Sequence, residues 1–389
     1  MKVLYCNPSF WDYRLPFFKE LVRLFEGNFY VMYSPLRYKM CGKESLCCRI
    51  KEELGNNAIP IYTEHVFDTY SKKWDQMPNI ERGKRIPFTK GLLRAINQVS
   101  PDVVISEGFF QWTPLVQLWG ITHHKPIFID YERTLYTERN NSILKTWMRK
   151  LQDKTIHGYL VNGTETKKYL EAIGVKASKI YISGMSADSF GLRSSIARME
   201  REEKVILKEK YQHYSDGLLY LFCGRIEKMK GVSQLLEAWL EHILTYHHDH
   251  LLLVGIGAAY KELVQKYMDE KSISFVGHVD YKDIYRFYAI SDVFILPTLQ
   301  DNWSLVVPEA MACGLPVATS IYNGCHTELV HGGENGYVFD TFKKSTILKA
   351  LDYFHHVNLK EQGKKSIILE KKFDVEHCAK RAFNAITRL

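Results

Sequence analysis

Short apolar runs alternate with longer helical patterns along the whole chain, and this alternation sets the expected fold class. Continuous apolar runs predict strands buried on both faces, and the helices between them connect parallel neighbours in a sheet. The predicted strands span residues 2–6, 29–33, 102–106, 126–129, 158–162 and 179–183, and then 218–223, 250–255, 274–277, 292–297 and 315–319. The sequence therefore predicts an α/β protein with two Rossmann-like domains.

A charged, helix-forming stretch followed by a turn marks a domain boundary within residues 191–217. The length of 389 residues agrees with two domains, because single cores rarely grow past about 250–300 residues. We expect an N-terminal domain over residues 1–190, a C-terminal domain over residues 205–370 and a final helix over residues 373–389.

The two halves of the chain differ in charge. The chain has 52 Lys and Arg residues against 44 Asp and Glu residues, a formal net charge of +8. Residues 1–200 carry a net charge of +9, whereas residues 201–389 carry −1. An excess in one half indicates an anionic partner for that half. With 46% hydrophobic and 25% charged residues, the composition excludes a disordered, collagen-like or coiled-coil protein.

No run approaches the ~20 apolar residues of a membrane span, and the N-terminus lacks the apolar stretch of a signal peptide. Eight cysteines occur without a paired CxxC spacing, which favours reduced thiols over a disulfide framework or a zinc site. Neighbouring histidines at 246–250 and 355–356 do not indicate a metal site, because adjacent side chains on a helix or strand point apart. We therefore expect a soluble cytoplasmic protein.

Two glycine-containing loops follow predicted strands of the second half. The loop 224–231 contains Arg225 and Lys230, whose side chains can both reach one diphosphate. A solvated basic turn explains this pair equally well. The loop 255–257, Gly-Ile-Gly, permits a tight turn, but the dinucleotide fingerprint needs a third glycine where Tyr260 stands. We interpret this second loop as a structural turn.

The segment 296–318 carries the most specific pattern in the chain. A strand ends at its beginning, a polar loop follows, and a helix starts near Leu305 with Pro308 in its first turn. Free N–H groups at such a helix start form an anion site. Glu309 lies about one turn inside the helix, where it can accept hydrogen bonds from a diol such as a ribose, and Asp301 lies at the mouth of the loop. Two carboxylates beside an anion site are hard to explain by packing.

The order of these motifs resembles that of the retaining family-4 glycosyltransferases of the GT-B fold, the glycosyl transferases group 1. In that family an acidic residue and, eight positions later, a Glu precede the letters A-M-A-C-G-L-P-V, which stand here at residues 310–317. The loop 224–231 is similar to the family's G-R-…-K-G segment, 275–279 to its nucleobase-side turn and 182–190 to its interdomain segment. The resemblance runs from about residue 153 to the C-terminus. It implies two Rossmann-like domains facing a central cleft, with the last helix crossing back onto the N-terminal domain.

The resemblance also implies a role for each matching residue. Arg225 and Lys230 would bind the diphosphate of a nucleotide-sugar, Asp301 its sugar and Glu309 its ribose. The candidate catalytic residues are Arg225, Lys230 and Asp301, and the candidate donor-binding residues are Gly224, His278, Trp303, Ser304, Leu305, Val306 and Glu309. Because fixed cations and helix N–H groups can stabilise the leaving diphosphate, no metal or cofactor is expected.

The sequence departs from the family pattern in both halves of the chain. Asp301 replaces the commoner Glu, and Trp303-Ser304 stands where a Phe-Gly pair is usual. In the N-terminal half, residues 130–134 stand where a His often follows the strand. The candidate acceptor-site residues are Glu107, Asp130 and Arg133. A salt-bridged or capping carboxylate fits Asp130 better than an acceptor contact.

Basic and aromatic residues are interspersed in the segment 70–94. Its basic residues are Lys72, Lys73, Arg82, Lys84, Arg85, Lys90 and Arg94. This mixture suits an anionic lipid surface, to which each basic residue contributes up to ~1 kcal/mol, and a solvated loop explains it equally well. No nucleic-acid-binding module is recognisable, so no nucleic-acid partner is expected.

The sequence thus predicts a retaining glycosyltransferase in the cytoplasm or on the inner face of the membrane. By resemblance, its donor is a nucleotide-sugar, expected to be a UDP-sugar, and its acceptor is a saccharide or lipid-linked molecule of polysaccharide or glycolipid synthesis. The rival functions are a nucleotide-sugar-binding partner subunit without transfer activity, a sugar-nucleotide epimerase, whose own signature is missing, and a nicotinamide oxidoreductase, against which Tyr260 counts.

Overall fold

The computed structural model describes residues 1–40, 42–67, 84–212, 214 and 216–388. It divides into two units, of which unit 1 comprises Met1–Gly184 with Val375–Leu389 and unit 2 comprises Met185–Asp374. The boundaries expected from the sequence, near residues 190 and 370, lie close to these divisions.

Unit 1 alternates strands and helices. In chain order its elements are β1 (Val3–Cys6), α1 (Leu15–Leu24), β2 (Phe29–Tyr33), α2 (Pro35–Met40), α3 (Glu44–Leu54), β3 (Ala58–Pro60), β4 (Glu64–Phe67), β5 (Lys84–Thr89), α4 (Leu92–Val99), β6 (Val103–Glu107), α5 (Thr113–Thr122), β7 (Ile127–Tyr131), α6 (Ile143–Asp153), β8 (Gly158–Val161), α7 (Thr164–Ala172) and β9 (Ile180–Ile182).

Seven of these strands form a parallel sheet in the order β3-β2-β1-β6-β7-β8-β9. In the register of β1 with its two neighbours, Val3 lies opposite Phe29 of β2 and Val103 of β6. Every residue of β1 is buried, as its continuous apolar run predicts for a strand covered on both faces.

The strands β4 and β5 form a separate antiparallel pair that is tied to the rest of unit 1. At the start of β4, the buried Arg37 donates from Nε to Glu64 Oε2 at 2.7 Å. At the end of β5, Trp112 Nε1 donates to Thr89 Oγ1 at 2.8 Å. Strand β5 lies within the basic segment 70–94. Three basic residues of that segment, Lys72, Lys73 and Arg82, lie outside the described residues.

Unit 2 has the same alternation. Its elements are α8 (Ser189–Arg198), α9 (Arg201–Tyr211), β10 (Leu219–Cys223), α10 (Val232–His242), β11 (His250–Val254), α11 (Tyr260–Tyr267), β12 (Ile273–Gly277), α12 (Tyr285–Ile290), β13 (Val293–Leu296), α13 (Val306–Ala312), β14 (Val317–Ser320), α14 (His326–Leu329), β15 (Gly336–Phe339), α15 (Lys344–Tyr353) and α16 (Leu359–Lys371).

The strands of unit 2 form a parallel sheet in the order β12-β11-β10-β13-β14-β15. The chain runs outward from β10 through β11 to β12, and then returns to place β13 on the other side of β10. The direction of winding thus reverses between β10 and β13. Open α/β sheets bind their ligands at such a switch point, outside the carboxyl ends of the strands.

The final helix, α17 (Val375–Thr387), belongs to unit 1. Its Phe383 packs on Phe25 just after α1, with ring centroids 4.7 Å apart. Arg381 Nε also donates to the carbonyl oxygen of Ser183 at 3.0 Å. The last helix therefore completes the unit in which the chain began.

Every predicted strand is present, with ends that shift by no more than one or two residues. Strands β3, β4, β5 and β15 were not predicted, because they are short or edge strands without a long apolar run. The helix-forming stretch at the boundary forms two helices, α8 and α9, because the backbone of Met199 and Glu200 between them is extended.

Two further expectations concern the thiols and the membrane. Cys6, Cys223 and Cys325 are buried and form no disulfide, which agrees with reduced cysteines. Within the part of the chain that the structure describes, no helix is both long and apolar enough to cross a bilayer.

Gly231 should be sensitive to substitution, because its φ is +68° and a Cβ there would lie 1.9 Å from the carbonyl oxygen of Pro297. We expect Gly231→Ala to lower the free energy of unfolding by more than ~2 kcal/mol, since the strain of a left-handed backbone adds to a clash between backbones. The measurement is chemical or thermal unfolding. Gly333→Ala is the control, because Gly333 has φ of +83° but nothing within 4 Å of its Cβ position. Equal losses in the two variants would contradict the close approach.

Candidate functional site

The loops that follow β10 and β13 meet at the switch point of unit 2. The Leu299 N–H donates to the carbonyl oxygen of Met229 at 2.8 Å, and Thr298 Oγ1 donates to the same oxygen at 3.0 Å. These bonds hold the loop 224–231 against the loop 297–305. The two motifs that the sequence analysis singled out are thus neighbours at one edge of the sheet.

Lys230 and Asp301 form an ion pair between these loops, from Nζ to Oδ2. Their side chains are only 19% and 18% exposed. Ser304 Oγ donates to Asp301 Oδ2 at 2.5 Å, and the Trp303 N–H donates to Oδ1 at 3.2 Å. Burial raises the pKa of Asp301, but the Lys230 ammonium and these donors outweigh it and hold the pKa below its usual value. Asp301 is therefore a fixed carboxylate at neutral pH.

The loop after β14 supports this carboxylate, and no motif in the sequence indicated its role. Asn323 is fully buried, accepts from the Ser304 N–H at Oδ1 (3.2 Å) and donates from Nδ2 to Thr319 Oγ1 (3.1 Å). The Asp301 carbonyl accepts from the Gly324 N–H at 3.1 Å. Asn323 thereby orients the backbone of the loop 297–305, which holds Asp301. This contact is visible only once the strand order is known, because it depends on β14 lying beside β13.

Arg225 has a different environment from Lys230. Its side chain is 59% exposed, and its Nη1 lies 3.0 Å from Glu227 Oε1, a partner that the sequence analysis did not consider. A surface ion pair of this kind is weak, so an anion can displace Glu227 at little cost. Of the two candidate cations, Lys230 is therefore held in the junction, whereas Arg225 is free to reorient.

The glycines at 255 and 257 allow two backbone segments to approach each other closely. A Cβ on Gly255 would lie 1.9 Å from the carbonyl oxygen of Gly224, and a Cβ on Gly257 would lie 2.4 Å from that of Ile226. The Gly224 N–H also donates to the Val254 carbonyl at 3.0 Å. The loops after β10 and β11 thus run side by side, and the interpretation of 255–257 as a structural turn is confirmed.

Glu309 lies in the first turn of α13 and is 7% exposed. Tyr281 donates its hydroxyl to Oε1 at 3.1 Å, and Tyr288 donates to Oε2 at 3.0 Å. Burial raises the pKa of Glu309 to about 7, and the two phenols offset only part of this effect. The tyrosines precede Glu309 by 28 and 21 residues, so no local spacing in the sequence could have found them.

The remaining donor-site candidates differ in how they are placed. The helix α13 begins at Val306, one residue after the predicted start, and the N–H groups of a first helical turn have no partners inside their own helix. His278, after β12, is 68% exposed and lies 3.4 Å from Asp280. Leu305 and Val306 therefore present amides at the loop junction, and His278 stands at the surface.

Trp303 is placed differently from its neighbours in the loop. The residue is only 5% exposed, and its ring packs 5.8 Å from that of Phe373. A large apolar ring is buried where it removes most surface from water. Its backbone N–H, which donates to Asp301, belongs to the site, whereas the indole belongs to the core.

In unit 1, Asp130 is salt-bridged, the role that the sequence favoured over an acceptor contact. Arg14 Nη1 lies 2.8 Å from its Oδ2, and Tyr5 donates to the same oxygen at 2.7 Å. Arg14 also pairs with Glu132, and burial raises the pKa of that glutamate. Asp130 is thus held in a buried network at the end of β7.

The other two acceptor-site candidates also lie in unit 1. Glu107 is the last residue of β6. Arg133 is 58% exposed, and its Nε lies 3.3 Å from Glu138 Oε1. Arg133 is therefore accessible to a ligand.

A cluster of His242, Asp249 and His355 lies at the amino ends of β10 and β11, away from the loop junction at their carboxyl ends. Both histidine Nε2 atoms are 2.8 Å from Asp249 Oδ2, and the Leu218 N–H donates to Asp249 Oδ1 at 2.7 Å. Among the described residues, this is the group of His, Cys, Asp and Glu whose atoms could hold a metal. The hydrogen bonds explain its geometry as a tie between the starts of β10 and β11.

The fold and the site together define an α/β protein with a loop junction at a sheet switch point, and comparison with known proteins adds to this description. Residues 203–366 match the family model described as glycosyl transferases group 1. This region contains the whole loop junction of unit 2. The resemblance noted from the motifs therefore has independent support over that region.

Two curated relatives share part of their length with this chain. The spore coat protein SA of Bacillus subtilis (strain 168) is 35% identical over 137 residues, which are 32% of this chain and 36% of the relative. The alpha-monoglucosyldiacylglycerol synthase of Acholeplasma laidlawii is 28% identical over 154 residues, 39% of this chain and 38% of the relative. The chain thus matches little more than a third of the length of either relative.

Solved structures resemble the whole chain. The crystal structure of Anabaena Alr3699/HepE in complex with UDP superposes with a TM-score of 0.75 and 14% sequence identity, covering 100% of both chains. A likeness at this identity shows the fold. Both units of this chain are accordingly Rossmann-like domains of the GT-B type, as the sequence predicted.

The buried Glu309 predicts a specific dependence of stability on pH. Its pKa is higher in the folded protein, about 7, than in the unfolded chain, so its stabilising contribution is present at low pH and is lost as the pH rises through 7. We expect the free energy of unfolding of Glu309→Gln to rise relative to that of the wild type by up to ~3 kcal/mol between pH 5 and pH 8. Urea unfolding across this range measures it. Glu262→Gln, at an exposed glutamate of α11, should show no such trend, and a pH-independent difference for Glu309→Gln would refute the assignment.

Proposed function

We propose that this chain is a retaining glycosyltransferase that uses a UDP-sugar as donor and a saccharide or lipid-linked acceptor. The observation that carries the proposal is the Lys230–Asp301 pair at the switch point, inside the region that matches glycosyl transferases group 1. The HepE structure that shares the fold was solved with UDP. One relative is named a synthase of a glucosylated diacylglycerol, which agrees with a lipid acceptor.

Lys230 and Arg225 bind the diphosphate of the donor in this proposal. A diphosphate carries more charge than the Asp301 carboxylate, so it competes for the Lys230 ammonium, while Arg225 exchanges Glu227 for a phosphate oxygen. The amides at the start of α13 add donors to the same anion. These positive groups stabilise the charge that develops on the leaving nucleotide, which is the main catalytic requirement of the reaction.

Glu309 holds the ribose of the donor. Each of its oxygens already accepts one phenol hydrogen bond, which fixes the carboxylate and leaves a second lone pair on each oxygen for a ribose hydroxyl. Two adjacent acceptors in one plane match the two hydroxyls of a diol. The neutral diol also suits a carboxyl whose burial disfavours full ionisation.

Asp301 holds a hydroxyl of the donor sugar. Because Ser304 and the Trp303 N–H fix its two oxygens, Asp301 is released from Lys230 without losing its position when the diphosphate enters. With the sugar held on one face beside the diphosphate, the acceptor attacks from the side of the leaving group, and a phosphate oxygen takes the acceptor proton. This pathway retains the anomeric configuration and needs no metal.

The acceptor belongs to unit 1 in this proposal. Arg133 and Glu107 are the candidates to contact it, whereas Asp130 positions Arg14 in the buried network. The cytoplasmic location and the lipid-facing role of residues 70–94 stay predictions.

A donor panel provides the first test. UDP-sugars are expected to raise the melting temperature of the chain in proportion to their affinity, and GDP- and ADP-sugars to have smaller effects. The stabilising donor is then incubated with saccharide and lipid-linked acceptors, and NMR of the product gives the anomeric configuration. An inverted product would refute retention, and stabilisation by NAD without any nucleotide-sugar would favour the oxidoreductase rival.

Removal of Lys230 is expected to weaken both donor binding and transfer. Lys230→Met removes a charge-assisted contact to the diphosphate, so we expect at least ~10-fold weaker binding of UDP-glucose and a transfer rate lower by about 100-fold or more. Isothermal titration and product assays measure these effects. Lys228→Met is the matched control, since Lys228 lies exposed in the same turn.

Because Lys230→Met leaves Asp301 buried without its cation, stability must be measured separately from binding. The double variant Lys230→Met/Asp301→Asn removes both charges and should regain most of the stability lost in the single variant. Its UDP affinity should remain low. Normal UDP affinity in a well-folded double variant would rule out the diphosphate role.

The role of Glu309 is tested with deoxygenated nucleotides. The wild type should bind UDP about 10-fold or more tightly than 2′,3′-dideoxy-UDP, because the ribose hydroxyls donate to a carboxylate. Glu309→Ala should bind the two nucleotides almost equally, whereas Glu262→Ala should keep the wild-type preference. A preference that survives in Glu309→Ala would assign the ribose contact to another residue.

A further inference from the structure

The helix α6 of unit 1 presents its apolar side chains to solvent. Ile143 is 89% exposed, Leu144 65%, Trp147 60% and Leu151 50%. Positions four residues apart share one face of a helix, so Ile143, Trp147 and Leu151 form one stripe, with Leu144 beside it. A surface helix of a globular protein ordinarily turns such a stripe toward the core.

The polar side of α6 faces inward instead. Arg149 is 4% exposed, and its Nη1 lies 2.8 Å from Glu138 Oε2. Gln152 Nε2 donates to the carbonyl oxygen of Phe109 and to Gln117 Oε1, both at 3.0 Å. Rotation of the helix to bury the apolar stripe would break this buried ion pair and both amide contacts. The outward direction of the stripe is therefore fixed by the polar contacts beneath it.

Positive charge flanks the apolar stripe. Lys145, Lys150 and Lys154 are exposed on or directly after α6. The acidic residue of this stretch is Asp153, which is itself engaged by Lys179 Nζ at 3.3 Å and by the Tyr159 hydroxyl at 3.0 Å. The exposed face of α6 thus combines large apolar side chains with lysines that form no ion pair with any residue that the structure describes.

The neighbouring helix α5 carries further exposed apolar side chains. Gln117 of α5 donates from Nε2 to the Gln152 carbonyl at 3.2 Å, which places the two helices side by side. Leu118 and Ile121 of α5 are 49% and 48% exposed. An exposed apolar area of this extent marks a binding surface, because isolated soluble proteins rarely keep one.

We propose that α6 is an interfacial helix that binds this chain to the surface of an anionic lipid bilayer. Ile143, Trp147 and Leu151 insert at the level of the headgroups, and the three lysines contact the lipid phosphates. A bilayer fits the charges better than a second copy of this chain, because a two-fold interface brings identical patches together and would oppose lysines to lysines. The inference rests on unit 1 alone, so it stands or falls separately from the donor site of unit 2.

The apolar stripe is tested by flotation of the whole chain with vesicles, without any donor. The wild type should float with vesicles of phosphatidylcholine and phosphatidylglycerol and only weakly with phosphatidylcholine alone. The triple variant Ile143→Ser/Trp147→Ser/Leu151→Ser should lose at least ~10-fold of the partition coefficient, since apolar burial drives insertion. The control removes three exposed apolar residues of unit 2: Leu244→Ser/Met268→Ser/Ile368→Ser.

The lysines are tested by charge reversal. Lys145→Glu/Lys150→Glu/Lys154→Glu should lower the partition coefficient for anionic vesicles on the order of a hundredfold and weaken its dependence on salt. The control changes the net charge equally at three exposed lysines of unit 2: Lys349→Glu/Lys360→Glu/Lys365→Glu. Binding that falls equally in variant and control would show a response to net charge alone and would overturn the proposal.

Three further results would overturn it. The first is a wild-type chain that does not float with anionic vesicles. The second is full binding by the serine variant with an unchanged circular dichroism spectrum, which would assign the membrane contact to another surface. The third is a wild-type dimer, seen by light scattering, that becomes monomeric in the serine variant without any change in vesicle binding, because α6 would then be an interface between copies.

Discussion

The close approach of the loops after β10 and β13 is the constraint on which the site in unit 2 depends. With a glycine at 231, the backbone of one loop lies directly against the Pro297 carbonyl of the other. The Met229 carbonyl then accepts hydrogen bonds from both Thr298 and Leu299. Only because the loops are this close can Lys230, at the end of one, neutralise Asp301 on the other. A side chain at residue 231 would push the two loops apart and break the ion pair between Lys230 and Asp301.

Two buried carboxyls in this site have opposite pKa shifts, and their surroundings explain the difference. Burial raises the pKa of both groups. Asp301 has an ammonium, a hydroxyl and an N–H as partners, which together reverse that effect, whereas Glu309 has only two phenols and keeps a pKa of about 7. Asp301 is therefore suited to giving up Lys230 to an incoming anion. Glu309 is suited to accepting hydrogen bonds from neutral hydroxyl groups. The balance between burial and charged or hydrogen-bonding partners therefore explains the different roles that we propose for Asp301 and Glu309 in donor binding.

Much of the fold and part of the site were predictable from local pattern. Apolar runs predicted the strands of both parallel sheets because burial on both faces leaves little freedom in residue type. Lys230 and Asp301 were predictable because they stand on loops that follow strands, and Glu309 because it stands in the first turn of the helix after one of these loops. Asn323, Tyr281 and Tyr288 were not, since they reach the site from other elements with no fixed spacing. The burial of the Trp303 ring was not predictable either, because a loop position does not show which way a side chain turns.

The sequence by itself determined the alternation of strands and helices, the two-domain organisation and the position of the charged loops, since these follow from local composition and spacing. The tertiary structure decided which face of each element is buried. The apolar residues of α6 have the spacing of a core-facing stripe, yet they face solvent because Arg149 and Gln152 find ion-pair and amide partners only beneath the helix. Burying a charge requires its partner to be in place, and Glu138 reaches Arg149 only when the chain is folded.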